Sequence, residues 1–273
     1  MLRRLITAGL VLALLSPLAR ADDPPWVARS KTGMVASDST EASQIGADVL
    51  TQGGNAFDAA IATSCALAVS RPQSTGLGGG GFLVAYVAKE KRFVALDFRE
   101  VAPAGATRER YAQLAAEAGD GPPPSIYGGN ASGVPGLVAG LAEIHRRYAT
   151  RPWRDLVLPA SKLADTGFRA DDTYEGACRK ALKDIDKWPQ LKEQHAELYR
   201  TLLGGGKGPA DGDTVKRPDL AEALRILASD GPDAFYKGPL GAALVKANQA
   251  AGGVLTAEDL AAYRVREREP LHA

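Results

Sequence analysis

Hydrophobic residues recur at helical spacing, then alternate through one short stretch, then return to helical spacing. Met34-Val35-Ala36 is a short strand-like run. Asp38, with Glu41 three residues on, has capping-box spacing and predicts a helix through Ile45, Val49 and Leu50 that stops at Gly53-Gly54. Asn55 caps a second predicted helix from Ala56 to about Val69, apolar on nearly every side and therefore buried. Pro72 ends it. After the glycines of 76–81, Phe82 to Val87 and Arg92 to Phe98 read as strands joined into a hairpin by Lys89-Glu90-Lys91. From about Arg108 the pattern is mainly helical, with helices predicted over Tyr111–Ala118, Leu137–Tyr148, Trp153–Thr166, Tyr174–Lys183, Leu191–Leu203, Pro218–Ala228 and Leu240–Ala251. Arg264 to Ala273 carries alternating charges into Pro270 and does not read as a finished domain edge.

The N-terminus departs from this pattern. Arg3 and Arg4 precede an apolar run from Leu5 to Leu15, and Ala19-Arg20-Ala21 fits a small-x-small cleavage site. The run is shorter than the roughly 20 apolar residues of a membrane span. Residues 1–21 are therefore expected to be a signal peptide, which places the mature chain outside the cytoplasm with no other stretch able to span a membrane. Charge is nearly balanced, at 33 basic against 32 acidic residues, so no field of one sign points to a nucleic-acid partner. Cys65 and Cys178 are the only cysteines. Two do not make a disulfide framework, and Cys65 in an Ala-rich helix reads as a small hydrophobe.

Candidate chemistry is sparse when motifs are taken singly. Gly76-Leu77-Gly78-Gly79-Gly80-Gly81 meets the spacing of a dinucleotide-binding loop, but in reversed context. That fingerprint has a strand before the glycines and a helix after them, so that phosphate meets a helix N-terminus; here a helix precedes and a hairpin follows. His145, His195 and His272 lie too far apart in sequence for a metal motif, and no metal or cofactor is expected. Ser132, in Gly129-Asn130-Ala131-Ser132-Gly133, has the wrong spacing for a hydrolase elbow, and His145 on an amphipathic helix reads as a packing or surface residue. Arg99 ends the second predicted strand. Its guanidinium could clamp a carboxylate through two parallel hydrogen bonds, or it could be a solvated charge paired with Glu100 or Asp97.

Several runs together resemble the γ-glutamyltransferase (glutathione hydrolase) family. They are Gly33-Met34-Val35-Ala36, Gln52 through Ala60, Pro72 through Phe82, Leu96 through Pro103, Gly133-Val134-Pro135-Gly136, and Leu255 through Leu260, in the family's order. The resemblance implies an α+β fold, the N-terminal-nucleophile hydrolase αββα sandwich, of which this chain is expected to hold the N-terminal, incomplete part. It also implies a precursor that cleaves itself into two subunits. The small subunit's new N-terminal threonine then attacks the γ-glutamyl amide, and water or an acceptor resolves the γ-glutamyl-enzyme. By position, Arg99 corresponds to the arginine that holds the substrate's α-carboxylate, and the glycine run becomes scaffold near the pocket.

This sequence departs from the family at the processing threonine, since no threonine here is followed by histidine. Pro122-Pro123-Pro124-Ser125 sits between predicted helices and lacks the two glycines that directly follow the serines in the family's proline-serine segment. Residues 22–273 are thus expected to be a partial large-subunit region with no catalytic residue of its own. The expected partners are a γ-glutamyl substrate such as glutathione and a threonine-bearing small subunit, in the periplasm or outside the cell. The alternative expectation is a secreted, non-catalytic relic that binds γ-glutamyl compounds or a partner.

Overall fold

The computed structural model describes residues 27–271. The expected signal peptide and His272 lie outside the described residues. A short N-terminal unit ends at Met34, and everything from Val35 onward forms one unit, described below.

Residues 34–36 form no strand. Ser37 N–H donates to the Ser43 hydroxyl oxygen (3.0 Å) instead of joining a ladder, and the chain turns directly into helix α1, Thr40–Thr51. Its cap is Ser39 rather than Asp38. The Ser39 hydroxyl accepts from Ala42 N–H (3.3 Å) and donates to Glu41 (3.0 Å). Asp38 is drawn away by a long-range partner, its carboxylate lying 3.4 Å from Arg71 Nε. Helix α2, Ala56–Ser70, starts on an Asn55–Asp58 capping box and is buried through Ile61, Ala62, Cys65, Ala66 and Val69. Its small residues let α1 approach closely. A Cβ on Gly46 would lie 2.1 Å from the Thr63 hydroxyl.

Strands β1 (Phe82–Val87) and β2 (Arg92–Asp97) pair antiparallel with Phe82 opposite Asp97 and Val87 opposite Arg92. A third strand, β5 (Arg266–Arg268), completes the order β1-β2-β5 by pairing antiparallel with β2. The charged C-terminal stretch, for which the sequence pattern predicts no element, thus supplies a strand. Alternation divides the hairpin's faces. Val87, Val94 and Leu96 enter the core, whereas Phe82, Val84, Tyr86 and Phe93 stand exposed on the other face.

Helices α3 (Arg108–Ala118), α4 (Leu137–Tyr148) and α5 (Trp153–Thr166) follow, the last two with the bounds the sequence predicts. Helix α6, Asp172–Lys187, extends beyond the expected 174–183 at both ends; at its start Asp171 caps it, accepting from Tyr174 N–H (2.9 Å). The single helix expected over 191–203 divides into α7 (Gln190–Gln194) and α8 (Ala196–Thr201) at His195, whose φ of −120° and ψ of 37° are not helical. Helices α9 (Pro218–Asp230), α10 (Asp233–Tyr236), α11 (Pro239–Ala250) and α12 (Ala257–Ala262) complete the chain's helical part. Two-residue strands β3 (Phe168–Arg169) and β4 (Thr214–Val215) pair with each other and are too short to leave a sequence signal. The core runs from α1 through α2 and α5 to α9, each packed on the next. Both cysteines are buried and unbridged, and burial pushes the Cys65 thiol up to about 12.

Candidate functional site

Three runs that are distant in sequence meet at the end of β2. Phe98 and Gly81 exchange backbone hydrogen bonds of 3.0 and 3.2 Å, extending the hairpin past Asp97 toward the glycines. A Cβ on Gly80 would lie 2.5 Å from the Phe98 carbonyl oxygen and 3.0 Å from Arg99 Cα, so this approach requires glycine. Val101 and Val134 then form an isolated antiparallel bridge, which brings Gly133-Val134-Pro135-Gly136 alongside Arg99 and Glu100.

The glycine run also settles what meets the start of α4. The Gly79 carbonyl accepts from Gly136 N–H (2.9 Å) and Leu137 N–H (2.8 Å). The first N–H groups of α4 are therefore taken by a carbonyl of the glycine run rather than left for an anion. Helix α4 packs directly against this corner, where a Cβ on Gly140 would lie 2.2 Å from Phe98 Cγ. Gly140→Ala is expected to cost about 2–3 kcal/mol through overpacking and to lower the melting temperature by roughly 5–10 °C in a chain of this size. Thermal unfolding followed by circular dichroism checks this, and an unchanged midpoint would contradict the packing described.

Arg99 leaves this backbone knot with its side chain 57% exposed, and Nε lies 3.3 Å from Glu100. Its own N–H donates to Asp97 Oδ1 (3.1 Å), while its carbonyl accepts from the Tyr263 hydroxyl (2.8 Å). Of the two acids beside it in sequence, the guanidinium pairs with Glu100. Asp97 is occupied elsewhere, its Oδ2 accepting from Arg268 Nε (3.0 Å) and Nη2 (2.7 Å). Arg268, then the Arg99 N–H, hold the Asp97 carboxyl below the usual aspartate range. The result is a solvent-exposed guanidinium on a backbone hydrogen-bonded at both its N–H and its carbonyl. Such a group is suited to a carboxylate.

Other sequence candidates are placed apart from this corner or engaged in packing. His145 stands edge-on to Trp153 with ring centroids 5.5 Å apart, and its Nε2 lies 3.0 Å from the Arg151 carbonyl oxygen. Ser132 closes a 3₁₀ turn over Gly129–Ala131. Among the described residues no group of three His, Cys, Asp or Glu side chains is placed to hold a metal ion. No helix among them is long and apolar enough to cross a membrane. The sequence pattern singles out Arg99 but not Tyr263 or Arg268, which bond the Arg99 carbonyl and the Asp97 carboxylate.

Comparison with known proteins agrees with this architecture. The γ-glutamyltranspeptidase family model matches residues 42–273. The glutathione hydrolase proenzyme of Escherichia coli K12 is 40% identical over 243 residues, covering 89% of this chain and 40% of that protein. Its Bacillus subtilis 168 counterpart is 39% identical over 252 residues, covering 92% and 41%. The chain thus spans about two fifths of the length of these curated relatives. The crystal structure of Helicobacter pylori γ-glutamyltranspeptidase superimposes with a TM-score of 0.79 at 35% identity, covering 90% of this chain and 68% of that one. The fold is accordingly α+β, of the N-terminal-nucleophile hydrolase type. With the family model matched over most of its length, the chain belongs to the γ-glutamyltranspeptidase family.

Proposed function

We propose that this chain is the part of a γ-glutamyltransferase that receives the α-carboxylate of a γ-glutamyl substrate such as glutathione, with Arg99 as the anchor. The observation that carries this reading is the exposed Arg99 guanidinium, fixed at the backbone by the glycine run and the Gly133–Gly136 turn. The nucleophile is a threonine supplied by a small-subunit half, formed when a precursor cleaves itself. No threonine here has the following histidine of the family's processing site. The threonine hydroxyl attacks the γ-amide carbon, the amine leaves, and water or an acceptor amine releases the γ-glutamyl group. The apolar outer face of β1 and β2, with Phe82, Val84, Tyr86 and Phe93 exposed, supports a second layer packing there. Residues 1–21 act as the export signal, residues 22–273 form a partial large-subunit region, and the protein works in the periplasm or outside the cell.

The test is release of chromophore from a γ-glutamyl anilide, by the chain alone and by the chain assembled with a threonine-bearing half. The chain alone is expected to be silent and the assembly active. Turnover by the chain alone would overturn the division of labour, because it requires a nucleophile within these residues. A silent assembly in which the chain still binds glutathione would favour the non-catalytic binding protein instead.

A further inference from the structure

The segment from Tyr263 to Arg268 holds the Arg99 backbone directly at one end and through Asp97 at the other. At its carbonyl, the Tyr263 hydroxyl donates at 2.8 Å. At its N–H, Asp97 Oδ1 accepts at 3.1 Å, and the other oxygen of that carboxylate is held by Arg268 through two hydrogen bonds of 3.0 and 2.7 Å. We infer that the segment from Tyr263 to Arg268 is a positioning strap that aims Arg99 and keeps Asp97 from competing for its guanidinium. The inference rests on the reading of Arg99 as the carboxylate anchor.

The strap is itself held firmly. Tyr263 is buried and stacks on Tyr236 with ring centroids 5.9 Å apart and planes 17° from parallel. The Tyr236 hydroxyl donates to the Pro135 carbonyl (2.8 Å) and accepts from Ala139 N–H (3.1 Å), so the tyrosine pair ties Arg99 to the turn that begins α4. A Cβ on Gly136 would lie 2.2 Å from the Tyr263 hydroxyl, which shows how closely that oxygen is seated. Burial, then the charges of Asp97 and Glu100, push the Tyr263 hydroxyl up to about 12, so it remains a donor at any physiological pH. On the other side of the strap, Glu267 accepts from Arg92 (3.3 Å) and Arg147 (2.6 Å), fastening β5 to β2 and to α4.

Packing alone accounts for the Tyr263 ring and the β5 ladder, but not for where the polar ends point. Asp97 and Arg268 lie diagonally across the β2–β5 pair, on the face where Asp97 opposes Phe82. Beside Glu100, which already lies 3.3 Å from Arg99 Nε, an unclaimed Asp97 carboxylate would be a second rival for any incoming carboxylate. Arg268 removes that rival while leaving Asp97 able to accept from Arg99 N–H. Tyr263 and Arg268 are therefore positioning residues that act through Arg99.

Two measurements test the strap. On the full chain, amide hydrogen exchange of the 97–101 segment is expected to quicken about tenfold in Tyr263→Phe and in Arg268→Gln, with α1 and α2 unaffected. Unchanged exchange in that segment overturns the strap. In the enzyme assembled with its threonine-bearing half, each variant is expected to raise KM for a γ-glutamyl anilide about three- to tenfold, the scale of one lost hydrogen bond. kcat should stay within about twofold, since the carboxylate contact is alike in ground and transition states. Adding Asp97→Asn to Arg268→Gln should bring KM back toward wild type, because the side-chain amide keeps an acceptor oxygen but carries no competing charge. A merely structural Arg268 predicts no such rescue, and failure of the rescue overturns the competition argument. If the wild-type assembly turns over no substrate, the functional reading fails on its own, and the exchange measurement still decides the strap.

Discussion

Arg99→Ala is expected to raise KM for a γ-glutamyl anilide about a hundredfold in the assembled enzyme, with a much smaller change in kcat. The size follows from losing a charge-assisted, two-pronged contact with a carboxylate, worth about 2–4 kcal/mol or roughly 30- to 1000-fold. The middle of that range applies because the guanidinium is 57% exposed and must shed solvent to bind. The split between KM and kcat follows from chemistry at a distance. The α-carboxylate bears the same charge before and during attack on the γ-amide, so its contact is uniform binding. Arg99→Lys keeps the charge but loses the planar fork and should fall between, near tenfold. A γ-acyl anilide lacking the α-carboxylate supplies the control, since wild type and Arg99→Ala should handle it alike. Equal KM values for wild type and Arg99→Ala on the full substrate would remove Arg99 from the site.

How much of this was legible beforehand varies with the range of the forces involved. Helices α4 and α5 could be bounded from sequence because their limits are local. Gly133-Val134-Pro135-Gly136 precedes one, and Pro152 and Gly167 flank the other. The Asp38-for-Ser39 error at α1 arose because both residues have capping chemistry, and the decision was made by Arg71, 33 positions away along the chain. Strand β5 carries Arg-Glu-Arg, with no apolar alternation to betray it. It exists because it completes the β2 ladder, and its charges find Asp97, Arg92 and Arg147. Helix α12 has six residues, below the length at which periodicity speaks, and rests on the Thr256–Asp259 capping box.

The site shows the same division. Arg99 could be singled out only through the order of several motifs, since an arginine beside two acids is ordinarily a solvated charge. Tyr263 could not be found, because its partner lies 164 residues away and the contact is to a main-chain carbonyl, which carries no sequence signature. The glycine run was legible as a place of close backbone approach. What approaches it, the Phe98–Arg99 main chain on one side and the start of α4 on the other, is a tertiary fact.

The largest loss of stability is expected at Asp58, well away from Arg99. Asp58 is 0% exposed and accepts from Asn55 N–H (2.8 Å), Thr150 N–H (2.9 Å), the Thr150 hydroxyl (2.6 Å) and Arg151 N–H (3.1 Å). These donors join the start of α2 to the loop between α4 and α5, and every one of them is neutral. Asp58→Ala strips the acceptor from all of them and is expected to cost about 3–5 kcal/mol, the scale of several buried donors left unsatisfied. Asp58→Asn keeps one carbonyl oxygen but turns an NH₂ toward the remaining donors, so about 2 kcal/mol is expected. The pH dependence separates these hydrogen bonds from simple packing. Burial alone would raise the Asp58 pKa, but the hydrogen bonds from the Thr150 hydroxyl and from the N–H groups of Asn55, Arg151 and Thr150 outweigh it and hold the pKa below the usual aspartate value. The unfolded chain therefore takes up this proton first as pH falls. Asp58's contribution is fully present above the unfolded pKa of about 3.9 and is lost on descending through the folded value. Denaturant unfolding between neutral pH and pH 3 should show stability falling below about pH 4 in wild type, with a shallower fall in Asp58→Asn. Parallel acid limbs in the two proteins would show that the carboxylate's charge contributes nothing to this junction.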